Sequence, residues 1–347
     1  MNKVYFRYLF SLYFKNCFVF TIAFIMFYLM IDIFVNYNKL NLNTNIFLLY
    51  IFFTIFTAFY YVLPITQILS IIYTKITLIK KNEFIAFYSL GLSKNASLIP
   101  AFIVSILFSI IAIFFNYTNL SYSEKYKSNI LKYGYVNSKK NDLFFRYNND
   151  YIYIGNYSDN KINDIEILKI KNNEIATLTT AKEGNFVNNN WVLKDVKSIE
   201  YKFSDNFNDI VVIEENINEK ITLNNFKPEI LDNLDSDENS LQDVFFYLKN
   251  FDSNQNIFRA NIYKQTIFLL FAPFLSLIIF YKLPIMPRFS DLNLIGLIYT
   301  FISLLFYGSL FLLLRFAQNG VINPEISILL PIFLIIIYSL IMFVKNR

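Results

Sequence analysis

The chain of 347 residues is 55% hydrophobic and 19% aromatic, with a mean hydropathy of +0.40. A composition that apolar excludes a single soluble domain and reads as a membrane protein. The chain has no histidine and one cysteine, Cys17, which excludes His-based triads, His-ligated zinc, His proton relays and intrachain disulfides. The formal net charge of +5 is modest, so the positions of the charges carry more information than their sum.

A helix needs about 20 apolar residues to cross the hydrocarbon core. Residues 16–31 are uncharged with apolar flanks, and the "IDIFVNYNKL" that follows offers no small-residue cleavage site, so the segment reads as a retained span rather than a signal peptide. Residues 40–74 form an uncharged run around Pro64, and residues 95–123 form a third. Residues 124–255 are polar. Uncharged runs resume at 265–281, 292–314 and 326–344. The expected architecture is an α-helical membrane protein with six transmembrane helices and a β domain inserted between the third and fourth. Its expected divisions are 1–123, 124–255 and 256–347.

Within the insert, "NDYIYIGNY" at 149–157, "WVLKDVKSIEYKF" at 191–203 and "DIVVIEE" at 209–215 are β-branched and aromatic. Clusters of Asn, Asp and Gly separate them. This pattern predicts short antiparallel strands in a sandwich or jelly roll. "NSLQDVFFYLKNF" at 239–251 predicts a helix capped by Ser240 with Asp243 three residues on. Leu241, Val244, Phe245 and Leu248 fall on one of its faces.

Lysine and arginine in short loops set orientation. One side collects Lys3, Arg7, Lys15, Lys75, Lys80, Lys81, Lys94, Lys282, Arg288, Lys345 and Arg347; the short loops of the other hold Lys39 and Arg315. The first side is expected to be cytoplasmic and to carry both termini, which puts the insert outside the cytoplasm.

None of the seven glycines precedes a lysine, so the phosphate-binding loop pattern of nucleotide hydrolases is absent. There is no G-x-S-x-G elbow, and carboxylates such as Asp32 lie only near the ends of spans. Proton-driven carriers usually place ionisable groups near the midplane. If the chain moves something, a partner must supply the energy. No cofactor or metal is expected.

"KKNEFIAFYSLGLSKNAS" lies between the second and third spans. Asn82 is a plausible N-cap, Glu83 suits the dipole of the first turn, and Gly91 can end the helix in the left-handed conformation. Phe84, Ile85, Phe87, Tyr88 and Leu90 supply an apolar face. A helix lying on lipid headgroups and a helix docking on a soluble motor both fit these residues.

"LPITQILSIIYTKITLIKKNEFIAFYSLGLSKNASLIPAF" at 63–102 resembles the hallmark of the LptF/LptG permease family. Pro64, Glu83, Gly91 and Ser93 stand where that family has a proline in the second span, a glutamate in a coupling helix, and a Gly-x-Ser ending. "ID" at 31–32, the "LFFRYNNDYIYIGNYSDNKINDIEILKI" stretch and the ending "NGVINPEISILLPIFLIIIYSLIMFVKNR" are also similar. The resemblance implies a permease subunit paired with a paralogue above a dimer of the ATPase LptB, extracting lipopolysaccharide from the inner membrane and passing it toward LptC. It further implies that the helix within 80–93 couples to the ATPase through Glu83, Phe84, Phe87, Leu90 and Gly91. A periplasmic jelly roll would receive acyl chains, with Tyr151, Tyr153 and the region around Trp191 as lining residues. Lys39, Lys125 and Lys127, with Arg315 by position, would meet lipid phosphates, and Asp32 is a further candidate lipid-binding residue. Asp32 and the helix at 239–251 lean toward LptG. The alternative is a non-transporting sensor or scaffold whose β domain binds a periplasmic partner.

Overall fold

The computed structural model describes residues 2–40, 43–135, 140–147, 150–158, 161–171, 174–187, 190–203, 210–223, 240–250, 255–285 and 291–346. Two compact units emerge. One comprises residues 1–134 and 256–347, the other residues 135–255.

The first unit is a helical bundle. Helix α1 runs Asn2–Asn36, α2 Thr44–Lys80, α3 Glu83–Ser89, α4 Lys94–Asn116 and α5 Ser123–Tyr133. After the insert, α7 (Gln255–Gln265) and α8 (Phe271–Lys282) together make the fourth span, α9 (Leu292–Gln318) the fifth, and a π-helical turn at Glu325–Leu329 leads into α10 (Leu330–Lys345), the sixth. Among the described residues, six segments are thus long and apolar enough to cross a membrane. The expected boundary at 123/124 moves to 134/135, because α5 is amphipathic and packs on α2 within the bundle.

Polar side chains join the spans. The fourth span is broken by a 3₁₀ turn at Phe268–Leu270. Carbonyls near the break are taken by other helices: Tyr60 Oη donates to Lys264 O at 2.7 Å, Asn116 Nδ2 to Gln265 O at 3.0 Å, and Ser109 Oγ to Leu269 O at 3.1 Å. In lipid no water would satisfy them, so broken helices persist only where neighbouring protein does so.

The second unit is a six-stranded antiparallel sheet in sequential order: β1 Lys140–Tyr147, β2 Asp150–Ser158, β3 Lys161–Lys171, β4 Glu174–Val187, β5 Asn190–Phe203 and β6 Ile210–Thr222. One residue per strand drops out of the pairing at a common register: Asp142, Gly155, Asp164, Lys182, Asp195 and Asn218. Asp142, Asp164 and Asp195 take positive φ there, a conformation that Asp tolerates better than most residues. Each strand therefore carries one extra residue at the row, and the in-out alternation slips by one. In β2 the buried positions are Ile152 and Ile154 before the row and Tyr157 after it; in β3 they are Ile162, then Ile165 and Ile167; in β5, Trp191 and Leu193, then Val196. One face is buried on both sides of the row in β2, β3 and β5, whereas no β6 residue with a described side chain is buried. The partial alternation of 191–203 in the sequence is this slip.

Helix α6, Leu241–Asn250, follows the sheet. Ser240 Oγ accepts the Asp243 amide at 3.2 Å, as the capping pattern predicts, and the same hydroxyl donates to the Asp243 carboxylate at 2.9 Å. Leu241 and Val244 are fully buried, but Phe245 is exposed and leaves the expected apolar face. Burial pushes the Asp243 carboxyl up to about 6, against a lowering contribution from Ser240.

Gly184 pairs between Ile162 and Leu193, and a Cβ there would meet their side chains at 2.7–2.8 Å. Gly184→Val is expected to destabilise the sheet by about 1–3 kcal/mol through overpacking. Faster amide exchange in β3–β5 of the purified full chain would register it, and unchanged exchange would show that the sheet yields freely.

Candidate functional site

The short helix α3 is built by its two ends. At its start Asn82 has φ +60° and makes no side-chain cap. An N-cap side chain reaches back to the first turn from extended backbone, which this residue does not have. Asn82 is instead the left-handed joint that ends α2: its N–H donates to Ile79 O at 2.9 Å, and its carbonyl accepts the Ala86 N–H at 3.2 Å. At the other end Gly91 has φ +83°, its N–H donates to Tyr88 O at 3.0 Å, and Leu92 N–H donates to Phe87 O at 3.1 Å. This is the two-bond Schellman ending that glycine makes possible, with Phe87 and Leu92 at its apolar contact positions.

The face of α3 divides. Phe84 is fully buried, with its ring 5.9 Å edge-on to Phe280 of α8 and 5.8 Å from Tyr88. It is an anchor and presents nothing outward, so of the expected contact residues Phe84 is withdrawn from the exposed surface. Glu83, Phe87, Leu90 and Gly91 remain on it. They share a groove of about 550 Å³ with Val4, Tyr5 and Tyr8 of α1, Ala86 and Leu92. Tyr8 Oη donates to Glu83 Oε2 at 2.7 Å, and the Tyr8 ring lies edge-on to Phe87 at 6.4 Å. The sequence gives no signal for Tyr8, which lies far away in the chain. The groove is apolar with one carboxylate at its rim, a surface suited to an apolar knob flanked by a cation.

Beneath α3, Lys75 of α2 is buried, 2% exposed, and belongs to the packing rather than to the loop charges. It donates to Leu283 O at 2.9 Å and to Phe280 O. Among the other residues of the lysine-rich side, Arg288 and Arg347 lie outside the described residues.

At the opposite ends of the first two spans, Asp32 accepts hydrogen bonds from Tyr50 Oη and from the Lys127 ammonium, which forms an ion pair with it and lies 5.4 Å from the Tyr28 ring centroid. Lys127 is buried. It ties α5 to α1 and α2, and this corrects its expected place among open phosphate ligands: its charge is already met by Asp32. Lys39 is exposed and Lys125 half-buried. Arg315 donates to Gln318 Oε1 at 3.3 Å and stacks its guanidinium 5.2 Å from the Phe311 centroid, without a carboxylate partner among the described residues.

In the sheet Trp191 is fully buried, but Tyr151 and Tyr153 lie on the other face from Ile152 and Ile154. There Tyr151 stacks on the exposed Phe144 at 6.0 Å and Tyr153 Oη donates to Asp142 at 2.6 Å. That hydrogen bond, with burial second, raises the Tyr153 hydroxyl above the usual tyrosine range. The two tyrosines therefore do not line the buried interior with Trp191; strand alternation puts them outside it.

The description "Lipopolysaccharide export system permease LptF/LptG" matches residues 7–345, nearly the whole chain. The chain belongs to the LptF/LptG family. Comparison with curated proteins gives no match. As an LptF/LptG member the chain is a multi-pass permease of the bacterial inner membrane, built as six spans with an antiparallel β domain between the third and fourth, and its family role is lipopolysaccharide export rather than catalysis. Among the described residues no cluster of His, Cys, Asp or Glu could hold a metal ion.

Two outcomes test this geometry. A β-branched residue at Gly91 would be strained by about 1–2 kcal/mol, and alanine by less. No atom lies within 4 Å of a Cβ there, so the effect would be conformational and not steric. Gly91→Val is expected to loosen α3, read as faster amide exchange over residues 83–92, more than Gly91→Ala; equal, wild-type exchange would remove the glycine from the ending. Lys127→Met leaves the part-buried Asp32 carboxylate without its counter-ion, a loss below the about 3–5 kcal/mol of a fully buried pair, whereas Lys127→Met with Asp32→Asn removes both charges and recovers most of it. Thermal denaturation in detergent measures the difference, and equal midpoints for the single and double variants would refute the pairing.

Proposed function

We propose that the chain is the membrane subunit of a transporter that extracts lipopolysaccharide from the inner membrane, pairs with a paralogous permease, and is driven by a separate cytoplasmic ATPase, the LptB dimer of the family. The observation that carries this reading is α3: a helix fixed at both ends, anchored by Phe84, with Glu83 held beside an apolar groove, on a chain with no phosphate-binding loop of its own. A helix that only rested on headgroups would need neither the two left-handed joints nor a carboxylate tied to α1. The lysine bias supports a cytoplasmic position for this end and both termini, and a periplasmic one for the sheet.

In this reading the buried face of the sheet, with Trp191, receives acyl chains and hands the lipid toward LptC. Lys39, Lys125 and Arg315 offer cations to lipid phosphates at the outer membrane surface, while Lys127 organises the site through Asp32. Asp32 at the end of the first span and α6 before the fourth favour the LptG role over LptF.

Purifying the tagged chain from membranes is expected to recover a cytoplasmic ATPase and a second permease. Glu83→Ala is expected to leave expression intact, and to lower lipid release per ATP by about fivefold or more, a coupling loss of ~1 kcal/mol. Wild-type release by both Glu83→Ala and Phe87→Ala would exclude α3 as the coupling element. Recovery of periplasmic proteins with no ATPase would support a scaffold instead.

A further inference from the structure

Lys75 has an unusual set of partners. It lies five residues before the end of α2, within reach of the headgroups for a long side chain, yet it does not extend outward. Among the described residues no carboxylate pairs with it. Its ammonium instead donates to the carbonyl of Phe280 in the last turn of α8 and, at 2.9 Å, to that of Leu283, the residue that caps the helix. It also lies 4.3 Å from the Phe280 ring centroid and 5.9 Å from that of Phe84. Helix-end carbonyls carry partial negative charge and aromatic faces are electronegative, so four weak acceptors replace one counter-ion.

These four contacts belong to two elements besides its own. Phe84 is the buried anchor of α3; Phe280 and Leu283 close the fourth span. A buried ammonium costs free energy to desolvate, and an apolar side chain would fill the volume without that cost. The Phe84 ring already touches Phe280 directly, and what the cation adds is a hydrogen-bonded attachment of α2 to the end of the fourth span at that same contact.

We propose that Lys75 is a positioning residue that makes α3 and the end of the fourth span move together, so that a displacement imposed on the short helix reaches that span. The proposal rests on the coupling role of α3 given above. It assigns the path that the movement takes: through the Phe84 ring to the ammonium, and from the ammonium to the carbonyls of α8.

The test uses the full chain in its native complex, with radiolabelled lipopolysaccharide released per ATP hydrolysed as the readout. Lys75→Met is expected to assemble with the ATPase and to hydrolyse ATP, but to release about tenfold less lipid per ATP, within the range of ordinary coupling free energies. Lys75→Arg, which keeps the charge and the donors, is expected to restore release. Phe84→Leu is expected to match Lys75→Met, and the double variant to be no worse than either single change, because both cut one path. Wild-type release by Lys75→Met, or additive losses in the double variant, would overturn the proposal. So would joint failure of Lys75→Met and Lys75→Arg to assemble, which would give Lys75 a folding role only. A wild-type complex that carries no ATPase would instead remove the transport reading on which the proposal rests, before any variant is compared.

Discussion

Backbone carbonyls at helix ends are the constraint around which the bundle is organised. In water such groups find partners without help; inside or beside a bilayer they must be met by protein. The fourth span, broken near its middle and open at its end, has the greatest need. Tyr60, Ser109 and Asn116 meet the break, and Lys75 meets the end. Each of these side chains comes from the second or third span, so satisfying the backbone of one helix fixes the positions of three. The apolar clusters around Leu63, Phe84 and Phe280 then fill a frame that hydrogen bonds have already set.

Charge is handled differently at the two ends of the bundle. Where α3 lies, one ammonium is buried against carbonyls and rings, and the carboxylate of Glu83 is left at the surface beside a groove. At the other end a carboxylate and an ammonium, Asp32 and Lys127, neutralise one another in the packing. The first arrangement leaves a negative group available to a partner. The second leaves none, and its effect is to hold α5 against the first two spans.

Much of this could be read from residues in order. The six spans follow from apolar runs that no soluble core would need, and the ending of α3 from Gly91. The Ser240 cap and the β character of the insert were equally legible, because each rests on local chemistry. What could not be read depends on residues distant in sequence. Phe84 and Phe87 look alike in the chain, but one faces α8 and the other Tyr8. Lys75 and Lys80 look alike as flanking charges, but only the first turns inward. Lys127 has the composition of a lipid ligand, and its partner lies ninety-five positions earlier. Tyr151 and Tyr153 alternate correctly, yet alternation alone does not say which face is buried.

The row from Asp142 to Asn218 sets which side chains each strand of the sheet turns inward. It crosses all six strands at one register, so the slip in alternation resides in a column of residues and not in any connection between strands. Two kinds of sequence change therefore have opposite meanings for this domain. A connection can lengthen or shorten, and each strand still meets its neighbour with its out-of-register residue in the column. A single residue added or lost inside a strand moves that strand's member out of line and turns its apolar side chains to the wrong face on one side of the column. Relatives should thus vary freely at the strand ends while keeping a constant count from the column to the buried residues on each side of it, a spacing by which the domain could be traced where residue identity has faded.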